Sequence, residues 1–226
     1  MAIKAVTFDI GGTLIEPWPS VGHVYAEVAA RHGADGLSPT LLNTRFKAAW
    51  RSRNSINDTR AGWEELVREV FSGLVAPARH AALFAELYER FAQADAWRIF
   101  DDVLPTLEML VSRGIRLGAI SNWDERLRTL LRRLRLDDYF EVIVVSCETG
   151  FAKPSPEIFE HAAAKLGLPP ASILHVGDSL EMDVRGATSA GFRAARIRRA
   201  TDDALEGDLC SLGELTARIG QRISDG

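Results

Sequence analysis

Cysteine is nearly absent from this chain. The two that occur, Cys147 and Cys210, are far apart and form no CxxC or other metal-ligand spacing. That argues against a disulfide-stapled scaffold and a thiolate metal centre, and makes a reduced, cytoplasmic compartment the expectation. Long apolar runs are also missing. No stretch approaches the length of a membrane span, and the opening "MAIKAVTFDI" carries one lysine and a short apolar run broken by Asp9, so neither a span nor a signal peptide is expected. A basic excess is lacking as well: the net charge is -4 and the pI about 5.8, which argues against a general nucleic-acid binder. The local exception is "RLRTLLRRLRL", where Arg126, Arg128, Arg132, Arg133 and Arg135 interleave with leucines at helical spacing and read as a solvated helix face. Internal repeats and low-complexity segments are absent too.

What is present is the composition of an ordinary globular protein, 46% hydrophobic and 26% charged over 226 residues, enough for one large core or two modest ones. Four short apolar runs rich in β-branched residues, "IKAVTFD", "IRLGAIS", "EVIVVS" and "SILHVGD", are each followed by a polar or glycine-bearing turn and a helical pattern. This is the signature of a parallel sheet built from βαβ units, to which "FRAARI" adds a fifth strand. The fold class expected is α/β, a Rossmann-like parallel sheet interrupted by a helical insertion.

The insertion, residues 16–97, shows no strand-like alternation. Its stripes are helical: Val21, Val24, Tyr25 and Val28; Leu42, Phe46 and Trp50; Trp63, Leu66, Val67, Val70, Phe71 and Leu74; and Leu83, Phe84, Leu87, Tyr88 and Phe91. We therefore expect two domains, an α/β core over 1–15 and 98–226 and a small helical bundle over 16–97. Inserted just after Asp9, the bundle is a candidate lid.

In such a sheet the ligand site lies beyond the carboxyl ends of the strands, so Asp9, Ser121 with Asn122, the segment around Lys153, and Asp178 should converge. A carboxylate such as Asp9 can attack phosphorus and form an acyl-phosphate, or it can serve as a turn acid. Asp178 and Asp183 in "HVGDSLEMDVRGA" suit a hard, oxygen-seeking Mg²⁺; Asp183 also fits the N-terminal end of a helix. Lys153 is one of only four lysines and is followed by Pro154, Ser155 and Pro156. Proline fixes the backbone, so this ammonium can neutralise a carboxylate and a developing phosphoryl charge, or it is a solvated lysine in a turn. Ser121 and Asn122 can cradle phosphate oxygens through a hydroxyl and backbone amides, or simply cap a helix.

In order, "DIGGT", "SN", "KPSPEIF" and "GDSLEMD" resemble the four motifs of the haloacid dehalogenase (HAD) superfamily. The resemblance spans the whole core, and the helical insertion is similar to that family's type-one cap. It implies Asp9 as nucleophile and Mg²⁺ ligand, the Gly11 carbonyl as a further ligand, and Ser121 and Asn122 as binders of the phosphoryl group. It implies Lys153 as charge anchor, Asp178 and Asp183 as metal ligands, and Thr13 as support for the motif-one turn.

Phosphatases of that superfamily usually read D-x-D, the second aspartate transferring the proton; this chain has Gly11 there. Loss of such a group typically costs about 10²- to 10⁴-fold in rate. A phosphatase confined to good leaving groups, or one recruiting Glu16, His23 or Asp124 instead, is the reading expected, with a small phosphorylated substrate and a monomeric or homodimeric state. The alternatives are a phosphate-binding or partner-binding module without turnover and, less favoured, a phosphonatase using Lys47 or a dehalogenase, the last at odds with the presence of Asp178 and Asp183.

Overall fold

All five apolar runs form strands of one sheet in the computed structural model, which describes residues 2–52, 59–199 and 207–215. Strands β1 (Ala5–Phe8), β4 (Arg116–Ser121), β5 (Val142–Val145), β6 (Ile173–Gly177) and β7 (Arg193–Arg196) lie in the order β5-β4-β1-β6-β7. Every neighbouring pair is parallel. β1 is the central strand, and all four of its residues are buried, which is why "AVTF" carries no clean alternation. Its last residue pairs with Ala119 on one side and Val176 on the other, so the chain leaves β1, β4 and β6 at one level.

Helices α5 (Val103–Ser112), α7 (Ser146–Thr149), α8 (Pro156–Leu166) and α9 (Gly186–Ser189) complete this unit. On one side Ile158, Phe159, Ala162 and Leu166 of α8 pack with Ile120, Val144, Ile173 and Phe192. Each large side chain fully removed from water there contributes roughly 1.5 to 3 kcal/mol. Pro156 opens α8, where its missing amide costs no hydrogen bond, and Gly167 closes it in the left-handed region.

A second unit comprises Glu16–Arg98 together with Arg126–Leu134, the first being Met1–Ile15, Ile99–Glu125 and Arg135–Gly226. Its helices are α1 (Val21–Arg31), α2 (Pro39–Arg51), α3 (Arg60–Val70), α4 (His80–Arg90) and α6 (Arg126–Arg133). Ser20, Ser38 and Thr59 cap α1, α2 and α3, each accepting a hydrogen bond from a backbone amide of the first turn. The four apolar stripes meet in one cluster containing Val24, Tyr25, Leu42, Leu66, Phe71, Leu83 and Leu87, with Phe46, Trp50, Trp63 and Phe91 packed against it. Tyr25 is at its centre, stacked on Phe71 and edge-on to Phe46 and Phe91.

Two sequence expectations need correction here. The insertion is bordered by strands after all: β2 (Ile15–Pro17) pairs with β3 (Trp97–Ile99), each three residues long and too short to display a period of two. Residues 126–134, assigned to the core by sequence, group with the helical unit, and the arginine face is not simply solvated. The Arg126 guanidinium lies 3.5 Å from the centroid of the Tyr88 ring and donates to the Tyr88 carbonyl at 2.7 Å, while Arg133 donates to the Ala92 carbonyl at 2.6 Å. Residue 1, residues 53–58, residues 200–206 and residues 216–226 of the expected domains lie outside the described residues.

Candidate active site

Asp9 follows β1 directly, its amide donating to the Val176 carbonyl at 2.9 Å so that the sheet pairing extends to the functional residue itself. The residue is 6% exposed. Its Oδ1 accepts from Lys153 Nζ at 2.7 Å and from the Ser121 hydroxyl at 3.2 Å, and its Oδ2 accepts from the Thr13 hydroxyl at 3.1 Å. Three donors thus fix one carboxylate, and each comes from a different turn of the chain.

The turn after Asp9 requires glycine at position 12 for two reasons. Gly12 has φ 77°, a left-handed conformation that L side chains rarely adopt, and a Cβ there would stand 2.6 Å from Asp178 Oδ2. Asp178 therefore packs its carboxylate on the bare backbone of the motif-one turn. At the end of β6 a Cβ on Gly177 would fall 2.1 Å from Asp183 Cγ, so this position must also be bare for Asp183 to turn inward.

Asp183 lies on a wide helical turn, Leu180–Arg185, in which the Val184 amide reaches back five residues to the Ser179 carbonyl. The sequence predicts an ordinary first helical turn here. The wider turn keeps Asp183 buried and gives it three donors: Lys153 Nζ at 2.6 Å, His175 Nε2 at 3.1 Å and the Ser179 amide at 3.0 Å. Burial opposes its charge, but Lys153 and His175 outweigh that and hold its carboxyl well below the usual carboxylate range. Lys153 is buried too, which by itself would favour the neutral amine. The carboxylates of Asp183 and Asp9 reverse the balance and keep it a cation.

Asp178 is the exception in this group. It is partly exposed, yet burial of its carboxyl and the negative charges of Asp9 and Asp183 push it up to about 7. Oxygen atoms of Asp9, Asp178 and Asp183 lie within 4.8 Å of one another, a group able to hold a metal ion. Three hard oxygen donors suit Mg²⁺ or a similar cation, and the raised Asp178 marks negative charge that the single lysine does not balance.

The Asn122 side chain is committed elsewhere than the sequence implies. Its Nδ2 donates to the Lys153 carbonyl at 2.9 Å and its Oδ1 accepts from the Lys153 amide at 2.7 Å. Both ends hold the Lys153 backbone, so the side chain positions the lysine and only its backbone is left for an anion. Among the suggested proton-transfer substitutes, Glu16 pairs with Arg98 and His23 accepts from or donates to Ser20 at 2.8 Å, both within the helical unit, and Asp124 is completely buried. Lys47 is exposed on α2, in keeping with a helix-surface residue.

Over residues 3–191 the sequence matches the family described as haloacid dehalogenase-like hydrolase. The chain belongs to that family. It is 32% identical, with 96% of each sequence aligned, to Haloacid dehalogenase-like hydrolase domain-containing protein 3 of Danio rerio. It is also 32% identical to Glyceraldehyde 3-phosphate phosphatase of Methanopyrus kandleri, with 87% of this chain and 84% of that one aligned. A solved structure of a HAD phosphatase from Thermococcus onnurineus superposes with a TM-score of 0.69 at 29% identity, covering 96% of this chain and 98% of that one.

As a haloacid dehalogenase-like hydrolase the chain carries three supporting residues that sequence reading missed. His175, fully buried in β6, bridges the Thr7 hydroxyl at 3.0 Å and Asp183, with the edge of Phe159 against it; burial pushes it toward the neutral form. Arg199 donates to the Thr13 carbonyl at 2.6 Å and to both Asp102 oxygens at 2.7 Å, tying the motif-one turn to the chain's later part. Trp123 lies against Gly11. A polar residue in "SILHVGD" signals only that a buried partner is needed, and nothing local names that partner.

Proposed function

We propose that this hydrolase is a Mg²⁺-dependent phosphatase that transfers a phosphoryl group from a small phosphorylated substrate to Asp9 and then to water. The observation that carries the reading is the buried Asp9 carboxylate, held by Lys153, Ser121 and Thr13 beside two further carboxylates. The family supplies the hydrolase class, and two phosphatases similar to this chain support phosphorus as the centre attacked.

Asp9, Asp178, Asp183 and the Gly11 carbonyl would hold the ion, which supplies charge neutralisation for an incoming phosphate. Thr13 holds Asp9 Oδ2, which orients the carboxylate as nucleophile. Lys153 is shared between Asp9 and Asp183 and stays charged, so it can draw phosphoryl oxygens toward Asp9 and offset the charge that builds on them. Ser121 Oγ adds a hydroxyl donor at the same mouth. The acyl-phosphate on Asp9 is opened by water, restoring the carboxylate and releasing phosphate. Gly11 offers no proton, so the slow step depends on how readily the leaving group departs.

Phosphate release from 4-nitrophenyl phosphate and acetyl phosphate, with and without Mg²⁺, tests this. Wild type should turn over both, and Asp9→Asn should lose about 10³-fold or more. An Asp9→Asn variant with the wild-type rate would remove the nucleophile and the reading with it.

A further inference from the structure

Ser121 meets Asp9, and two residues further on Trp123 meets Gly11, so the turn after β4 runs beside the motif-one turn. A Cβ on Gly11 would stand 3.2 Å from Trp123 Cζ3 and 3.8 Å from Cη2. The far edge of the indole thus lies over the bare backbone two residues beyond the nucleophile, close enough that a side chain at position 11 would have to press it back by a few tenths of an ångström. The backbone that carries the ring is anchored. The Trp123 amide donates to Ser146 Oγ at 3.0 Å, and its carbonyl accepts from Ser146 Oγ at 3.1 Å and from the Cys147 amide at 3.3 Å. Ser146 is buried and Trp123 only partly so.

We infer that Trp123 is a specificity-determining residue, an apolar platform that selects phosphate monoesters with a flat aromatic leaving group. The inference rests on the phosphatase reading and names its substrate class. Two physical terms favour the same ligand. With no proton donor at Gly11, the bond to the leaving oxygen must break with the electron pair departing as an anion, and a phenolate bears that charge far better than an alkoxide. An aromatic ring stacked or edge-on to an indole gains an attraction beyond the area it buries.

The step balances without an added reagent. An Asp9 oxygen bonds to phosphorus, the ester P–O bond breaks, the aryloxide leaves with the electron pair and takes a proton from solvent, and water then cleaves the acyl-phosphate to the carboxylate and inorganic phosphate.

The test compares wild type, Trp123→Ala and Trp123→Phe on 4-nitrophenyl phosphate and acetyl phosphate, two substrates with good leaving groups of which only one is aromatic. Calorimetric binding of phenylphosphonate and methylphosphonate in Mg²⁺ provides a readout independent of turnover. Trp123→Ala should lower kcat/KM for the aryl substrate about 3- to 10-fold. It should change acetyl phosphate less than about twofold and weaken phenylphosphonate but not methylphosphonate, while Trp123→Phe keeps most of the aryl preference. Equal losses on both substrates, or no loss on the aryl one, would overturn the platform while leaving the phosphatase reading intact. Selective loss of phenylphosphonate binding in a wild-type background that releases no phosphate would do the reverse, sustaining the platform and removing the phosphatase.

Discussion

Asp178 is the residue at which binding and stability conflict. Its ordinary value of 3.8 is pushed up to about 7 by burial and by Asp9 and Asp183, so between those limits the folded protein holds a proton that the unfolded chain releases. Stability from this group therefore falls as pH rises from about 4 to 7 and stays low above. His175, buried and neutral, acts in the opposite sense below its ordinary value of 6.5, because only the unfolded chain takes up that proton. Comparing variants isolates the first effect, since both carry His175. Without metal, Asp178→Asn should raise Tm by roughly 5 °C at pH 8, with the gain shrinking toward pH 5, as followed by thermal denaturation. A variant less stable than wild type at pH 8 would show that the Asp178 charge is already compensated. Asp9 and Asp178 were legible as candidate site residues because each follows an apolar run at a turn, and Lys153 because prolines hold its backbone. That one carboxylate of the three would be the uncompensated one was not, because the shift comes from neighbours 169 and five residues away in sequence.

At the scale of elements, α6 shows how a local pattern gives the element but not its place. Leucines 127, 130 and 131 at helical spacing make the helix amphipathic, and all three are buried. The arginines between them suggested only water. In the structure Arg126 covers the Tyr88 ring and donates to the carbonyl of Tyr88 near the end of α4, where the terminal carbonyls of a helix lack partners of their own. Arg126→Ala should cost about 1 to 2 kcal/mol, read as a drop in urea midpoint without a change in slope, and Arg126→Lys should recover only part of it because an ammonium lacks the planar face. An unchanged midpoint would mean that the arginine is no more than a surface charge. The wide turn at Leu180–Arg185 was likewise invisible in sequence. It depends on Asp183 being drawn inward by Lys153 and His175, contacts made across the sheet rather than along the helix.

For the whole molecule, the site is a convergence of strand ends. Asp9, Ser121, Lys153, Asp178 and Asp183 span most of the chain, yet Lys153 touches Asp9 and Asp183 directly and Ser121 touches Asp9. A cation held there binds only the folded protein, so it should stabilise the whole first unit by mass action. Mg²⁺ at 10 mM should raise Tm by a few degrees at pH 8, and the rise should diminish as pH drops below about 7, where a proton competes for Asp178. The same titration on Asp9→Asn should show a smaller rise, and an undiminished one would place the cation elsewhere.

The sequence alone determined the parallel sheet, the helical insertion and the candidate nucleophile, lysine and acids, because strand runs, helical stripes and turn residues are local properties of the chain. Only tertiary structure decided that Asn122 clamps Lys153, that α6 groups with the helical unit and that Trp123 fills the space beside Gly11. Those outcomes depend on which surfaces meet once distant segments pack, and close packing lets one side chain occupy the volume that another, more than a hundred residues away in sequence, has left vacant.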